Sequence, residues 1–257
     1  MAKKLLFLSV VLLVSVISFS AYKLNRISAN YAQEAQVHGQ LLQYKPTIQT
    51  MGVEAISDKP ITDVPTASAQ TVNQSIIDLQ SKYPDAIGWL TIPNTGIDYP
   101  FAQGVDNDYY LHLDLDKNQL FSGTLFMEYR NNSDFGDFNT IIFGHNMKNG
   151  SMFGTLKNFD DRNFFEANSK GIIFTANETY EIEFMAWIVI GADDDVVYNS
   201  MFASDTDSLD FLDYVKRVSR NYRDTGADAS DRFVTLSTCS YEFTDARMAL
   251  VGRIVDR

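Results

Sequence analysis

Residues Leu5–Tyr22 form an uncharged, apolar run of 18 residues, with Lys3 and Lys4 directly ahead of it. A run of that length sits at the short end of what a helix needs to cross a bilayer. Two readings are open. Ser18, Ser20 and Ala21 crowd its far end, as small residues do before the cleavage point of a secretory signal. Against cleavage, the run exceeds the usual apolar core of a signal and has no clean small-x-small site, so an uncleaved anchor over residues 1–22 is favoured. The lysines hold the N-terminus in the cytoplasm by the positive-inside tendency. The rest of the chain is then expected outside the cell.

Residues 23–71 read as a tether. Ile27–Tyr44 has helix-compatible composition and continues the membrane helix outward. Lys45–Gln70 carries three of the six prolines among Ser, Thr and Asp, with no sustained apolar period. Such a segment buries too little surface to offset its ordering entropy. Residues 72–257 remain, enough for one sizeable domain, and a hydrophobic content of 45% supplies its core. The formal net charge of −12 speaks for solubility and against nucleic acid, since no basic patch is present to neutralise phosphates.

The domain opens with a helix: Val72, Ile76, Leu79 and Tyr83 share one face, and Pro84 stops it. Gly88–Pro93 and Ile97–Phe101 read as strands around an Asn94-Thr95-Gly96 turn. Further strands are expected at Gly123–Tyr129, Thr140–Phe143 and Tyr180–Ile190, the last with imperfect alternation. Leu212, Val215, Val218 and Tyr222 lie at helical spacing in Ser208–Tyr222. Many strands with few peripheral helices indicate a mostly antiparallel barrel.

The single cysteine falls near the end of the chain. Phe233–Thr238 is β-branched and aromatic, hence a strand, and Cys239 stands where it gives way to the polar loop Ser240–Ala246. Met248–Val255 forms the next strand, so the two pair as an antiparallel hairpin. Cys239 then faces Arg247 across the hairpin mouth, while Arg253 lies about 20 Å further along at roughly 3.3 Å per residue. Alternation places Ser237 on the face of Cys239. A buried, inert cysteine remains the alternative, because free cysteine is among the most buried residue types.

The Thr-Leu-Ser-Thr-Cys run ending at Cys239, followed by Arg247, resembles the active-site signature of sortases, the membrane-anchored cysteine transpeptidases of Gram-positive bacteria. Ser237-Thr238-Cys239-Ser240-Tyr241-Glu242-Phe243, with Asp245-Ala246-Arg247, is similar to class B in particular. So is Ile141-Ile142-Phe143-Gly144-His145-Asn146-Met147 with Gly150-Ser151-Met152-Phe153, the segment that carries the class B catalytic histidine. The likeness spans roughly Val72–Val255. It implies a sortase-like antiparallel β-barrel with one helix before the barrel and one before the cysteine strand. It also implies cleavage of a C-terminal sorting motif of secreted proteins after Thr, with transfer of the acyl group to a cell-wall amine such as a peptidoglycan precursor.

The chemistry follows from the residue types. A thiol must become thiolate to be a strong nucleophile. His145 is the proton partner, and Arg247 is a fixed positive charge that favours S⁻ and an oxyanion. Of the three histidines, His38 is assigned to the tether surface, and His112, the rival for the role, is read as a satisfied or solvated residue. No carboxylate suggests itself as a third member, so the set is Cys-His-Arg rather than Cys-His-Asp. Ser237 is a candidate for the substrate backbone or the oxyanion. By resemblance, Asn107 and Leu111 match positions near the class B substrate groove.

No cofactor is expected. One cysteine and scattered histidines give no zinc spacing, and Asp160-Asp161 and Asp193-Asp194-Asp195 lack the pattern of an EF-hand loop. The chain ends at Arg257 straight after its last strand and shows no Asp-Pro-aromatic lid motif, which disfavours a pilin-polymerising sortase. An L,D-transpeptidase would carry His two residues before the cysteine, where Ser237 stands. A surface cysteine peptidase using the same residues, and a tethered binding module with an incidental cysteine, stay open.

Overall fold

The computed structural model describes residues 2–47, 72–202, 204–240 and 242–255. Nearly all of the second part of the tether, from residue 48 to 71, lies outside them.

The first helix, α1, runs unbroken over Ala2–Leu41 and passes into a 3-10 turn at Leu42–Tyr44. Its N-terminal part is long and apolar enough to cross a membrane, and side chains from Leu6 to Ala29 are exposed. From there the character changes. Tyr31, Glu34, His38 and Leu41 recur at 3-4-3 spacing, one face of a helix, and this face is buried or half-buried against the domain. Tyr31 packs against the main core, and Val37 and Leu41 join a second cluster. The His38 ring lies 4.4 Å from that of Tyr99. Gln33 Nε2 donates to the Gln119 carbonyl (3.1 Å), and Lys45 pairs with Asp98 (2.6 Å).

The domain begins with α2 (Gln74–Lys82), whose Ile76 and Leu79 are fully buried. Val72 precedes the helix and is exposed, so the buried face starts one turn later than the apolar spacing predicts. Nine strands follow: β1 (Ala86–Ile92), β2 (Ile97–Gln103), β3 (Leu125–Met127), β4 (Asn139–Phe143), β5 (Lys170–Thr175), β6 (Thr179–Gly191), β7 (Ser219–Tyr222), β8 (Phe233–Cys239) and β9 (Ala246–Val255). Between β4 and β5 lies the short α3 (Arg162–Ala167), and α4 (Asp205–Val218) precedes β7.

Eight strands close a ring in the order β5-β1-β2-β3-β4-β8-β9-β6, sealed by the pairing of β5 with β6, while β7 adds to β6 from outside. Among the described residues, only the β2–β3 and β4–β8 pairs are parallel. Ser219–Tyr222, which the helical spacing assigns to a helix, is the strand β7. Tyr222 keeps the spacing because it packs into the same cluster as the α4 face.

Two apolar layers explain the patterning. Val234 and Leu236 of β8, Leu250 and Ile254 of β9, and Phe184 and Trp187 of β6 point into the barrel. Phe233, Ala249, Val251, Ala186 and Ile188 point outward, where Phe211 and Val215 of α4 cover them. β6 is therefore apolar on both faces. It also carries a bulge between Phe184 and Ala186 that shifts the phase. That is why its sequence alternates poorly.

Candidate active site

β8 and β9 pair in a register that sets Cys239 directly opposite Arg247 and Phe233 opposite Arg253. Directly opposed residues of an antiparallel pair share one face. Both side chains are half-buried, on the outer face of the barrel wall that Ala249 and Val251 continue. Asp245 adopts left-handed backbone (φ 58°) as the loop turns into β9, and its carbonyl accepts the Ala192 amide (2.8 Å). The Ser240 amide donates to the Ala246 carbonyl at 2.8 Å and closes the hairpin. Arg253 sits at the opposite end, paired with Glu183 (3.1 Å) and Asp231 (3.6 Å).

β4 lies on the other side of β8, in parallel, with Phe143 in register with Ser237. The Gly144 amide extends the ladder by donating to the Ser237 carbonyl (3.1 Å). His145 therefore emerges beside Cys239. Gly144 is needed at this bend: a Cβ there would lie 2.3 Å from Leu125 Cδ2 and 2.9 Å from the Phe153 ring. Asn146 Nδ2 donates to the Cys239 carbonyl (2.9 Å), tying the histidine loop to the cysteine. The Phe153 amide donates to the His145 carbonyl (3.0 Å).

The His145 imidazole is half-buried, and its Nε2 lies 2.8 Å from the Leu111 carbonyl. A carbonyl only accepts, so Nε2 is the protonated nitrogen and Nδ1 is left for chemistry. Burial pushes the imidazole below its ordinary value. The Leu111 carbonyl pulls the other way, and the neighbouring His112 lowers it further. At neutral pH His145 is accordingly a neutral base able to take a thiol proton.

Ser237 is fully buried. Its Oγ and the Tyr198 hydroxyl share a hydrogen bond of 2.8 Å, beneath the segment that joins β6 to α4. Asp194 shapes that segment by accepting the Val197 amide (2.9 Å) and the Tyr214 hydroxyl of α4. Tyr198 stacks near Phe143, with centroids 6.1 Å apart. Burial pushes the Tyr198 phenol up to about 12, partly offset by the Ser237 bond and the Arg247 charge, so it stays neutral.

The residues matched to a substrate groove are placed as follows. The Asn107 amide donates to the buried Glu128 carboxylate and accepts the Tyr129 amide at 3.1 Å. Arg130 holds the same carboxylate from its other side (2.7 Å). Leu111 contributes its carbonyl to His145 and rests its side chain against the second core cluster. Two residues at the site, Asn146 and Tyr198, were not singled out from the sequence. Asn146 adjoins His145 and was within reach of a search along that run. Tyr198 carries no local signal. His112, weighed and set aside as a proton partner, is exposed as a solvated residue would be, and its ring also stacks on that of His145, centroids 5.3 Å apart and planes 20° from parallel.

Comparison with known proteins gives a consistent set of relatives. Residues 90–255 match the family model described as Sortase domain. Sortase B of Listeria monocytogenes is 39% identical over 189 residues, covering 72% of this chain and 76% of the relative. Sortase B of Staphylococcus aureus is 31% identical over 175 residues, covering 66% and 70%. Among solved structures, sortase B of B. anthracis in complex with AAEK1 superposes with a TM-score of 0.73 at 30% identity, covering 89% of this chain and 99% of that one. A Staphylococcus aureus sortase B–substrate complex gives 0.69 at 25% identity, covering 90% and 97%.

Proposed function

Because this chain belongs to the sortase family, as a cysteine transpeptidase of the sortase B type, we propose that it cuts a C-terminal sorting motif of secreted proteins after Thr and joins the new acyl end to a cell-wall amine. Cys239 is the nucleophile, His145 the proton carrier and Arg247 the oxyanion partner. The observation that carries this assignment is the register of β4, β8 and β9, which brings these three residues to the same end of three neighbouring strands.

In the forward half, His145 Nδ1 takes the thiol proton and Sγ bonds to the scissile carbonyl carbon. The carbonyl π electrons move to oxygen, where the Arg247 guanidinium meets the developing charge. As the C–N bond breaks, the imidazolium returns that proton to the leaving amine, which leaves a thioacyl on Cys239. In the second half an incoming amine attacks the thioester, His145 accepts its proton, and the thiolate departs to be reprotonated. Water in place of the amine gives hydrolysis by the same route. Ser237, read from the sequence as a substrate contact, is fully buried and bonded to Tyr198, so it supports the wall behind Cys239 rather than touching the substrate backbone. Asn107 is proposed to offer its amide to a polar substrate side chain, an amide that Glu128 and the Tyr129 amide hold in this structure, and Leu111 adds apolar wall.

The apolar N-terminal helix is consistent with a membrane anchor or a signal sequence. Our reading is a retained single-pass anchor over residues 1–22, a connecting segment over 23–71 whose helical part from Tyr31 to Leu41 docks on the domain, and the catalytic domain, 72–257, outside the cell near lipid-linked precursors.

The deciding assay is cleavage of sorting-motif peptides with and without candidate acceptor amines, products identified by mass. Amide product that appears only with the amine, and a thioacyl adduct on Cys239 that is lost in Cys239→Ala, are expected. Exclusive free acid across the amines tested would make the enzyme a peptidase under these conditions and overturn the acceptor reading. An adduct persisting in Cys239→Ala would overturn the nucleophile.

A further inference from the structure

His112 takes no part in the steps above, yet its ring lies face to face with the imidazole assigned to proton transfer. The preceding residue, Leu111, accepts the hydrogen bond from Nε2 of that same imidazole. One dipeptide thus touches His145 at an edge and over a face. The dipeptide is itself held from several sides. The Leu120 amide donates to the His112 carbonyl (2.9 Å), the Thr124 amide to the Tyr110 carbonyl (3.1 Å), and Leu113 bridges to Gln119. Tyr110 is buried, with its hydroxyl on Asp85 (2.7 Å).

We propose that His112 is a positioning residue for His145, its ring fixing the imidazole plane while the Leu111 carbonyl fixes the edge, so that Nδ1 is presented for proton exchange. The inference rests on His145 being the proton carrier. A single hydrogen bond at Nε2 leaves the ring free to rock about the bond axis. A parallel ring on one face removes that freedom, and proton transfer is sensitive to such misplacement.

Charge follows from the same contact. A protonated His112 disfavours a second positive charge on the ring beneath it, in the direction found for His145. Among the described residues, the charged or titratable groups near this end of the barrel include Cys239 on β8, Glu242 and Asp245 in the β8–β9 loop, Arg247 on β9, and Asp194 and Tyr198 on the β6–α4 segment. On the segment of His112 itself, Asp114 accepts the Asn118 amide (2.8 Å). Arg247 acts in the same sense as a charged His112, and a thiolate in the opposite sense.

The test uses the full chain in detergent micelles with ¹³C-labelled histidine. Its three histidines make the spectrum easy to assign. His112→Phe keeps a ring on the face and removes the charge; His112→Ala removes both. The His145 titration midpoint is expected to rise by about half a unit in His112→Phe and by at least as much in His112→Ala. In peptide cleavage, kcat should stay near wild type in His112→Phe and fall about tenfold in His112→Ala. A midpoint unchanged in both variants overturns the proposal, and so does a kcat in His112→Ala equal to wild type. Retained cleavage in His145→Ala would instead overturn the role of His145, and the midpoints separate the two failures because they do not depend on turnover.

Discussion

At the scale of single residues, the two arginines of β9 make the sharpest contrast. Arg247 stands opposite Cys239, whereas Arg253 stands opposite Phe233 and is engaged with Glu183 and Asp231. Arg247→Ala should lower kcat/KM by about 10²–10³, the usual cost of losing an oxyanion donor. Arg253→Ala should change it by less than about tenfold and cost up to about 1 kcal/mol of stability, as surface-type ion pairs do. Steady-state kinetics and denaturant melts on both variants decide this, and equal losses of activity would contradict the strand register. In the proposed mechanism His145 sets the pH dependence. Burial and His112 hold it below 6.5, against the Leu111 carbonyl. With its neutral form as the proposed acceptor of the thiol proton, activity should fall as the pH drops through that lowered value. The acid limb of kcat/KM is thus expected below pH 6.5, and a limb above it would mean another group controls activity. Cys239, Arg247 and His145 were all legible as candidates, because strand ends and a family-like run mark them. Asn146 and Tyr198 were not, and His112 was weighed only as a rival proton partner, because the contacts each makes at the site cross between separate segments.

At the scale of elements, α1 departs furthest from its sequence reading. Composition assigns its outer part to a spacer, but Tyr31, Glu34, His38 and Leu41 face the domain and Gln33 and Lys45 bond to it. The same helix face lies near Tyr99 and Met152, and the Met152 amide donates to the Tyr99 hydroxyl (3.2 Å). Met152 bridges Asn146 in turn, so the helix braces the loop that carries His145. Removing residues 1–46 should therefore cost about 3 kcal/mol through lost apolar burial and reduce kcat as well. Removing only 1–22 should leave both intact. Calorimetry and peptide cleavage on the two truncations test this, and equal Tm values would show that the outer helix adds nothing to the fold. Strand existence was otherwise legible from β-branched runs. What escaped was β7, where helical spacing runs on by coincidence into a strand, and β5, a short run covered on both sides.

At the scale of the whole molecule, the unbroken α1 links an exposed apolar span directly to a docked one. Deleting residues 2–22 is expected to move the protein from the membrane fraction to the soluble fraction while peptide cleavage persists. Fractionation followed by the cleavage assay checks it, and membrane retention without the span would point to a different attachment. The sequence by itself determined the elements whose signal is local: the apolar span, the α2 and α4 faces, the β8–β9 hairpin and hence the pairing of Cys239 with Arg247. Hydrophobic period and turn length act over a few residues, and one chain suffices to read them. Only the tertiary structure decided what depends on contacts between distant segments. The parallel pairing of β4 with β8 brings His145 to the cysteine across more than ninety residues of chain. Burial of Ser237 under Tyr198, the stack of His112 on His145 and the docking of α1 arise in the same way. Such contacts are selected by how the whole barrel packs and closes, and no local pattern encodes them.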